Sequence, residues 1–382
     1  MNSNIVYIGR FSYDNGAAWT RVENISKILK RNGDDVFFVS NAAQIPNFKP
    51  DRRHTVVSYH NSSLCSLINL FDLVTGLLEY RKAISLIERE SVKYVFLYNE
   101  TEILAKRIMK YCRNHGIKVY TDTTEWYNVV PIRKGVADWL YTKSVNRRIL
   151  YVDKNMDGAI AISPFLKEYY DSIHVNTVLI PPVFDDAFRQ QESTISFKKP
   201  LSLVYAGSPG TKDLLLPILN TVEKINSMDL CVLFNLVGVS EDDLRKTWKD
   251  YDYKKYGINC FGRQSRERAI EIVANSHFTI LLRRAERYAK AGYSTKFSES
   301  LAVGTPIICN HVGGADEDII DGKTGIILKT YMEDELYAIL HKLCNMPESD
   351  YLLMRREALE FGKKRYTGKN YDKMLQNFIK RK

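Results

Sequence analysis

The chain has 382 residues, 45% of them hydrophobic and 26% charged, a balance that allows two packed cores and excludes a fibrous or disordered protein. Its net charge of +10 favours anionic partners, either phosphate-bearing substrates or an anionic membrane surface. Nucleic acid is disfavoured, because the sequence holds no zinc-finger spacing, no RNP-like aromatic strand and no helix-turn-helix pattern.

From the N-terminus, residues 4–9 read at once as a buried strand, with no signal-peptide pattern before them. No run reaches the ~20 apolar residues of a membrane span, so a cytoplasmic protein is expected. The first half continues with strands predicted at 35–40, 92–99, 117–122, 158–163 and 177–182, separated by helical periodicity, for instance at 19–31, 79–89 and 102–115. A basic stretch, Arg133 to Lys154, interleaves cations with Val136, Trp139, Leu140, Val145, Ile149 and Leu150. It reads either as a core-facing helix with a solvated basic face or as a helix lying on a membrane surface. Pro181-Pro182 and the polar stretch to Pro200 mark a linker. The pattern restarts with strands at 201–207, 231–238, 258–262, 278–283, 306–310 and 324–328, and helices near 332–344, 350–361 and 369–379 close the chain. Two doubly wound α/β domains are expected, 1–184 and 198–365, each binding ligands beyond the carboxyl ends of its strands, with a shared ligand in a cleft between them. The six cysteines, without a Cys-x-x-Cys spacing, fit reduced buried thiols, and the seven histidines show no metal-ligand spacing.

Chemistry concentrates in the strand-to-helix loops. After the first strand, Asn15, Gly16 and two alanines let the backbone approach a ligand, but the spacing is not the dinucleotide fingerprint. In Thr121 to Tyr127, Asp122 and Glu125 are carboxylates able to orient or deprotonate an acceptor hydroxyl, with Trp126 beside them, or alternatively to cap the next helix. Gly207-Ser208-Pro209-Gly210-Thr211-Lys212 places a lysine beside a helix start, where it pairs with a diphosphate or stays solvated in a first helical turn. Gly262-Arg263 offers exposed backbone to a base edge, and Arg283, Arg284 and Lys290 form a cation cluster that favours phosphate. The stretch from Ala291 to Ile308 says most: Gly292, Tyr293 and Ser294 precede a helix whose start is an anion seat capped by Ser294 or Thr295, Glu299 lies on that helix, and Gly304 ends it. Glu299 is read as a clamp on ligand hydroxyls or as a surface acid.

With these loops in place, the chain resembles the retaining glycosyltransferases of family 4, which have the GT-B fold of two Rossmann-like domains. Nearly the whole length is covered, most sharply from Tyr205 to Leu328. The resemblance implies that Lys212 reaches the donor diphosphate, that Glu299, the second acid of a Glu-x7-Glu motif, binds the donor ribose, and that the amides of Gly292, Tyr293 and Ser294 hold donor sugar and phosphate. It also implies that residues 366–382 return to the first domain. Two positions depart from the pattern: Ala291 stands where the first Glu belongs, and Ser208 where an arginine is common. Arg283 or Arg284, with Lys290, are expected to supply the missing cation.

The resulting expectation is a metal-independent hexosyltransferase without a cofactor. It would move a sugar from a nucleotide diphosphate sugar, UDP-sugar by preference, to a glycan or polyprenyl-linked acceptor in cell-surface polysaccharide synthesis. An anionic membrane surface is a further expected partner, with the protein peripheral on the inner face. A sugar-nucleotide epimerase of the same fold and a catalytically impaired nucleotide-sugar binding protein are the competing readings.

Overall fold

Ile5, Val6, Tyr7 and Ile8 have no exposed surface, and they form the centre of the first sheet. Their side chains alternate between two cores: Ile5 and Tyr7 pack with Val22, Ile25 and Phe378, whereas Val6 and Ile8 pack with Leu86, Leu104 and Ile108. Such a strand must be covered by helices on both faces, which is the condition for a parallel sheet. The structure is a computed structural model that describes residues 3–11, 16–40, 52–56, 63–184, 195–210, 212–247 and 253–380.

The chain divides into two units, Met1–Asp185 with Ala291–Tyr293 and Gly368–Lys382, and Asp186–Lys290 with Ser294–Thr367. In the first, strands β1 (Asn4–Gly9), β2 (Asp35–Ser40), β3 (His54–Val56), β4 (Tyr94–Tyr98), β5 (Lys118–Thr123), β6 (Gly158–Ala161) and β7 (Thr177–Leu179) pair in parallel in the order β3-β2-β1-β4-β5-β6-β7. Helices α1 (Ala17–Arg31), α2 (Ser63–Thr75), α3 (Leu77–Arg89), α4 (Glu102–Asn114), α5 (Val136–Tyr151) and α6 (Pro164–Ser172) lie between them. α1 buries Val22, Ile25, Ile28 and Leu29, a 3.6-residue stripe, and ends in Lys30 and Arg31, which suit the negative end of its dipole.

The second unit repeats the plan with β8 (Leu201–Ala206), β9 (Val232–Val237), β10 (Ile258–Gly262), β11 (Phe278–Leu281), β12 (Ile307–Asn310) and β13 (Gly325–Leu328), all parallel in the order β10-β9-β8-β11-β12-β13. Its helices are α7 (Leu216–Ile225), α8 (Glu241–Thr247), α9 (Arg266–Ala274), α10 (Arg287–Ala291), α11 (Thr295–Ala302), α12 (Glu333–Leu343) and α13 (Glu348–Tyr366); α14 (Asp372–Lys380) belongs to the first unit. The strand order reverses at β1/β4 in one unit and at β8/β11 in the other, so ligand crevices are expected beyond Gly9 and Tyr98 and beyond Ala206 and Leu281.

Two readings of local sequence change. The short edge strand β3 was not anticipated. The basic stretch holds a core-facing helix, α5, whose basic face is solvated in part only: Arg148 is fully buried, 3.1 Å from Asp153, and donates to Thr123 Oγ1 at 3.0 Å. No helix among the described residues is long and apolar enough to cross a membrane.

Candidate active site

The second unit's site grows from Tyr205, at the buried end of β8. Its hydroxyl donates to Asp213 Oδ2 at 2.6 Å. Between them the chain turns at Gly207, whose φ of +134° disfavours any side chain. A Cβ there would lie 2.9 Å from Lys296 Nζ, so the glycine leaves room for that ammonium. The loop does not run straight into a helix, as expected. Asp213 instead forms an antiparallel bridge with Arg283 and the Leu214 amide donates to Leu282 O at 2.8 Å, so helix α7 starts only at Leu216. Lys212 is therefore an exposed turn residue rather than part of a first helical turn, its ammonium 5.8 Å from the Tyr288 ring centroid. Ser208 is exposed on the same loop.

Asp213 gathers two cations. Arg283 Nε lies 2.6 Å from its Oδ1, and Lys296 Nζ lies 3.1 Å from its Oδ2. Asn310 fixes Arg283 by accepting from its amide and donating to its carbonyl, both at 2.8 Å. Burial alone would raise the Asp213 carboxyl, but Lys296 and Arg283 hold it below its ordinary value, so it stays ionised. Burial pulls the Lys296 ammonium below its ordinary value, and neighbouring Arg283 adds to that while Asp213 opposes it. Two cations share one carboxylate, so the group is net positive. The expected cation of the site was Arg283 or Arg284. Arg283 is engaged with Asp213, Arg284 is exposed, and Lys296, a residue that no motif marks, completes the group.

Lys296 and Glu299 stand three residues apart on α11 and share a face. Burial pushes the Glu299 carboxyl up, countered by Arg266 and Lys296, and Arg266 approaches its Oε1 at 3.7 Å. Ser294 occupies the N-cap position of α11 without a side-chain capping bond, contrary to the expected cap. Arg266 follows Ser265, whose hydroxyl does cap α9 by accepting from the Arg268 amide at 3.2 Å. Gly262, at φ +61°, and exposed Arg263 precede it with open space over the glycine. Lys290 is half-buried on α10.

Ala291, Gly292 and Tyr293 are buried and group with the first unit, where the Ser163 hydroxyl donates to the Ala291 carbonyl at 2.7 Å. At position 291 it is thus the backbone that is held.

In the first unit, the structure reassigns Asp122. It is fully buried at the end of β5, with Arg21 at 3.0 Å from Oδ1 and the Tyr7 hydroxyl donating to Oδ2 at 2.6 Å. The same guanidinium donates to the carbonyls of Ile180 and Pro181 at 2.6 and 2.9 Å. Both carboxylate oxygens are occupied, so Asp122 is an anchor and not an acid offered to a hydroxyl. Glu125 is half-buried three residues on, and Trp126 packs its ring 4.6 Å from Tyr169. Gly16 stands at the N-cap of α1, while Asn15 lies outside the described residues. Among the described residues, no group of three or more His, Cys, Asp or Glu side chains is placed to hold a metal. Burial pushes the thiols of Cys112 and Cys260 up to about 12, which leaves them unreactive.

The match to a known family falls on this second unit. Residues 216–364 match the family model of glycosyl transferases group 1. That segment holds Arg283, Lys296 and Glu299 and stops short of the Gly207 loop. Among curated proteins, an uncharacterized glycosyltransferase, MJ1069 of Methanocaldococcus jannaschii, is 25% identical over 222 residues, 55% of this chain; the chain spans about half, 54%, of that relative's length. Among solved structures, sucrose-phosphate synthase from Thermosynechococcus elongatus superposes with a TM-score of 0.73 at 11% identity, covering 99% of this chain and 98% of that one. HepE of Anabaena in complex with UDP gives 0.68 at 11% identity, covering 98% and 99%. At such identities the likeness is one of fold, and the fold is GT-B: two parallel-sheet α/β domains, as the resemblance implied.

Proposed function

We propose that the protein is a retaining, metal-independent glycosyltransferase that takes its sugar from a nucleotide diphosphate sugar, with UDP as the nucleotide, and passes it to a glycan or polyprenyl-linked acceptor in polysaccharide synthesis. One observation carries the reading: Asp213 holds Lys296 and Arg283 beside the Gly207 turn, at the point where the second sheet reverses its strand order. A net positive group there, next to a helix start, suits a diphosphate. The match to group 1 glycosyl transferases and the fold shared with a UDP-bound neighbour support it.

In this reading Lys296, Arg283 and Lys212 stabilise the charge that grows on the leaving diphosphate as the sugar bond breaks. Preorganisation matters because both half-buried cations are already oriented by Asp213 and do not have to be drawn from water. Glu299, one turn along α11 from Lys296, accepts hydrogen bonds from the ribose. Gly292, Tyr293 and Ser294 supply amides to the sugar and phosphate, and Gly262 and Arg263 meet the base. On the acceptor side, Glu125 and Trp126 remain as the groups that orient the incoming hydroxyl.

The test is a titration of UDP and GDP against the wild type, Lys212→Ala and Glu299→Ala, followed by donor hydrolysis and transfer assays. Wild-type binding of UDP, weakened in both variants, is expected. Absence of nucleotide binding in all three overturns the reading, and donor conversion to an isomeric sugar nucleotide without acceptor replaces transfer by epimerisation.

A further inference from the structure

We propose that residues 129–136 are a membrane-docking edge of the first unit, fitted to a bilayer surface that bears anionic lipids. The segment is pinned. Asn146 of α5 accepts from the Tyr127 amide at 3.1 Å and donates to its carbonyl at 2.8 Å, and the Val130 amide donates to Thr142 Oγ1 at 3.3 Å. A 3-10 turn, Ile132–Lys134, follows, and α5 begins at Val136.

On this fixed frame Val129, Ile132 and Val136 are 43%, 55% and 50% exposed. Arg133 and Lys134 stand between them, also exposed, and Lys143 lies further along the helix with its ammonium 4.7 Å from the Trp139 ring centroid. Asp138 is the acid of the first turn of α5. Packing within the unit does not account for the outward aliphatics, because α5 turns Val145, Arg148 and Ile149 inward instead. Aliphatic side chains at this exposure sink into the boundary between headgroups and acyl chains, while the cations bracketed by them meet lipid phosphates. The net charge of +10 complements such a surface over a longer range.

The edge begins four residues after Glu125 and three after Trp126, the groups assigned to the acceptor. It therefore deepens the proposed function: the acceptor is a lipid-linked glycan met at the bilayer, and only that part rests on the glycosyl-transfer reading.

Vesicle co-sedimentation of the full chain tests the surface, with phosphatidylglycerol-containing and pure phosphatidylcholine vesicles, and UDP affinity measured on every variant. The wild type is expected to bind the anionic vesicles at least about tenfold more strongly than the neutral ones. Ile132→Asp/Val136→Asp and Arg133→Glu/Lys134→Glu are each expected to lose at least about tenfold of that binding, with thermal stability and UDP affinity unchanged. A wild type that binds neither vesicle or both equally, or either double variant binding as the wild type does, overturns the proposal. UDP binding retained by a wild type that ignores vesicles leaves the proposed function standing while this inference falls.

Discussion

Lys296 Nζ lies 3.1 Å from Asp213 Oδ2 and 4.9 Å from the centre of the Tyr205 ring, so one buried carboxylate and one aromatic face hold an ammonium over the Gly207 turn. Ser208 brings no charge to the turn, and Lys296 reaches the same turn from α11.

Lys296→Met keeps the length of the side chain and removes its charge. If the ammonium faces the diphosphate, UDP affinity falls about 10- to 100-fold, the worth of one charge-assisted hydrogen bond, while affinity for uridine stays the same. Isothermal titration with both ligands separates them. Equal losses for uridine and UDP would place Lys296 outside the phosphate contact.

Asp213→Asn asks what the anchor does. It leaves Arg283 and Lys296 together with little solvent and without the carboxylate that bridges them, Glu299 being the acid that still acts on Lys296, and losing one partner of a buried pair costs about 3–5 kcal/mol. Urea denaturation should report a loss of that order. A stability within the scatter of surface substitutions would mean that the two cations already repel little.

Glu299→Ala removes the proposed ribose clamp. The expected sign is a weaker UDP complex, by about 10-fold or more, and a loss of discrimination between UDP and its 2′,3′-dideoxy analogue. A variant that still prefers UDP to the dideoxy form as strongly as the wild type does removes Glu299 from ribose recognition.

Much of this was legible in the chain because it is written in periodicity. Ile5 to Ile8 and Val36 to Val39 are continuous apolar runs between polar or glycine flanks, and the strands Asn4–Gly9 and Asp35–Ser40 have the bounds the pattern gives. Residues 92–99 shrink to Tyr94–Tyr98 at their ends, where Asn99 takes a positive φ. The three-residue edge strand β3 is too short to show a period. Partnership was less legible still. Asp122 and Glu125 look alike in sequence, yet one faces Arg21 and Tyr7 across 101 and 115 residues and the other lies half-buried beyond the strand. Lys296 was hidden for the same reason: its meaning comes from Asp213, 83 residues earlier.

Asp122 and Glu125 separate anchoring from chemistry. Asp122→Asn leaves the Arg21 guanidinium buried and short of its counter-ion, and a loss of about 3–5 kcal/mol in stability is expected. Glu125→Gln should leave the unfolding midpoint in place and lower turnover with acceptor, with donor affinity retained. A Glu125→Gln enzyme of full turnover would end its assignment to the acceptor hydroxyl.

Glu79 offers a pH test of the first unit's interior. It is buried on the first turn of α3, and its carboxyl is pushed well above the ordinary value, first by burial and then by the charge of Glu100, with Asp72 adding to the shift and Arg10 opposing it. A folded carboxyl that holds its proton more tightly than the unfolded one favours the folded state at low pH. That advantage is lost as pH rises from the unfolded value of about 4.5 through the folded one, at about 1.4 kcal/mol for each unit between them. Glu79→Gln has no proton to lose and keeps an amide that can donate to Glu100. Its stability should therefore match the wild type near pH 4 and exceed it at pH 8, with the gap widening in between. Thermal unfolding at pH 4, 6 and 8 measures the gap directly; a difference that does not change with pH would mean that Glu79 is ionised in the folded protein.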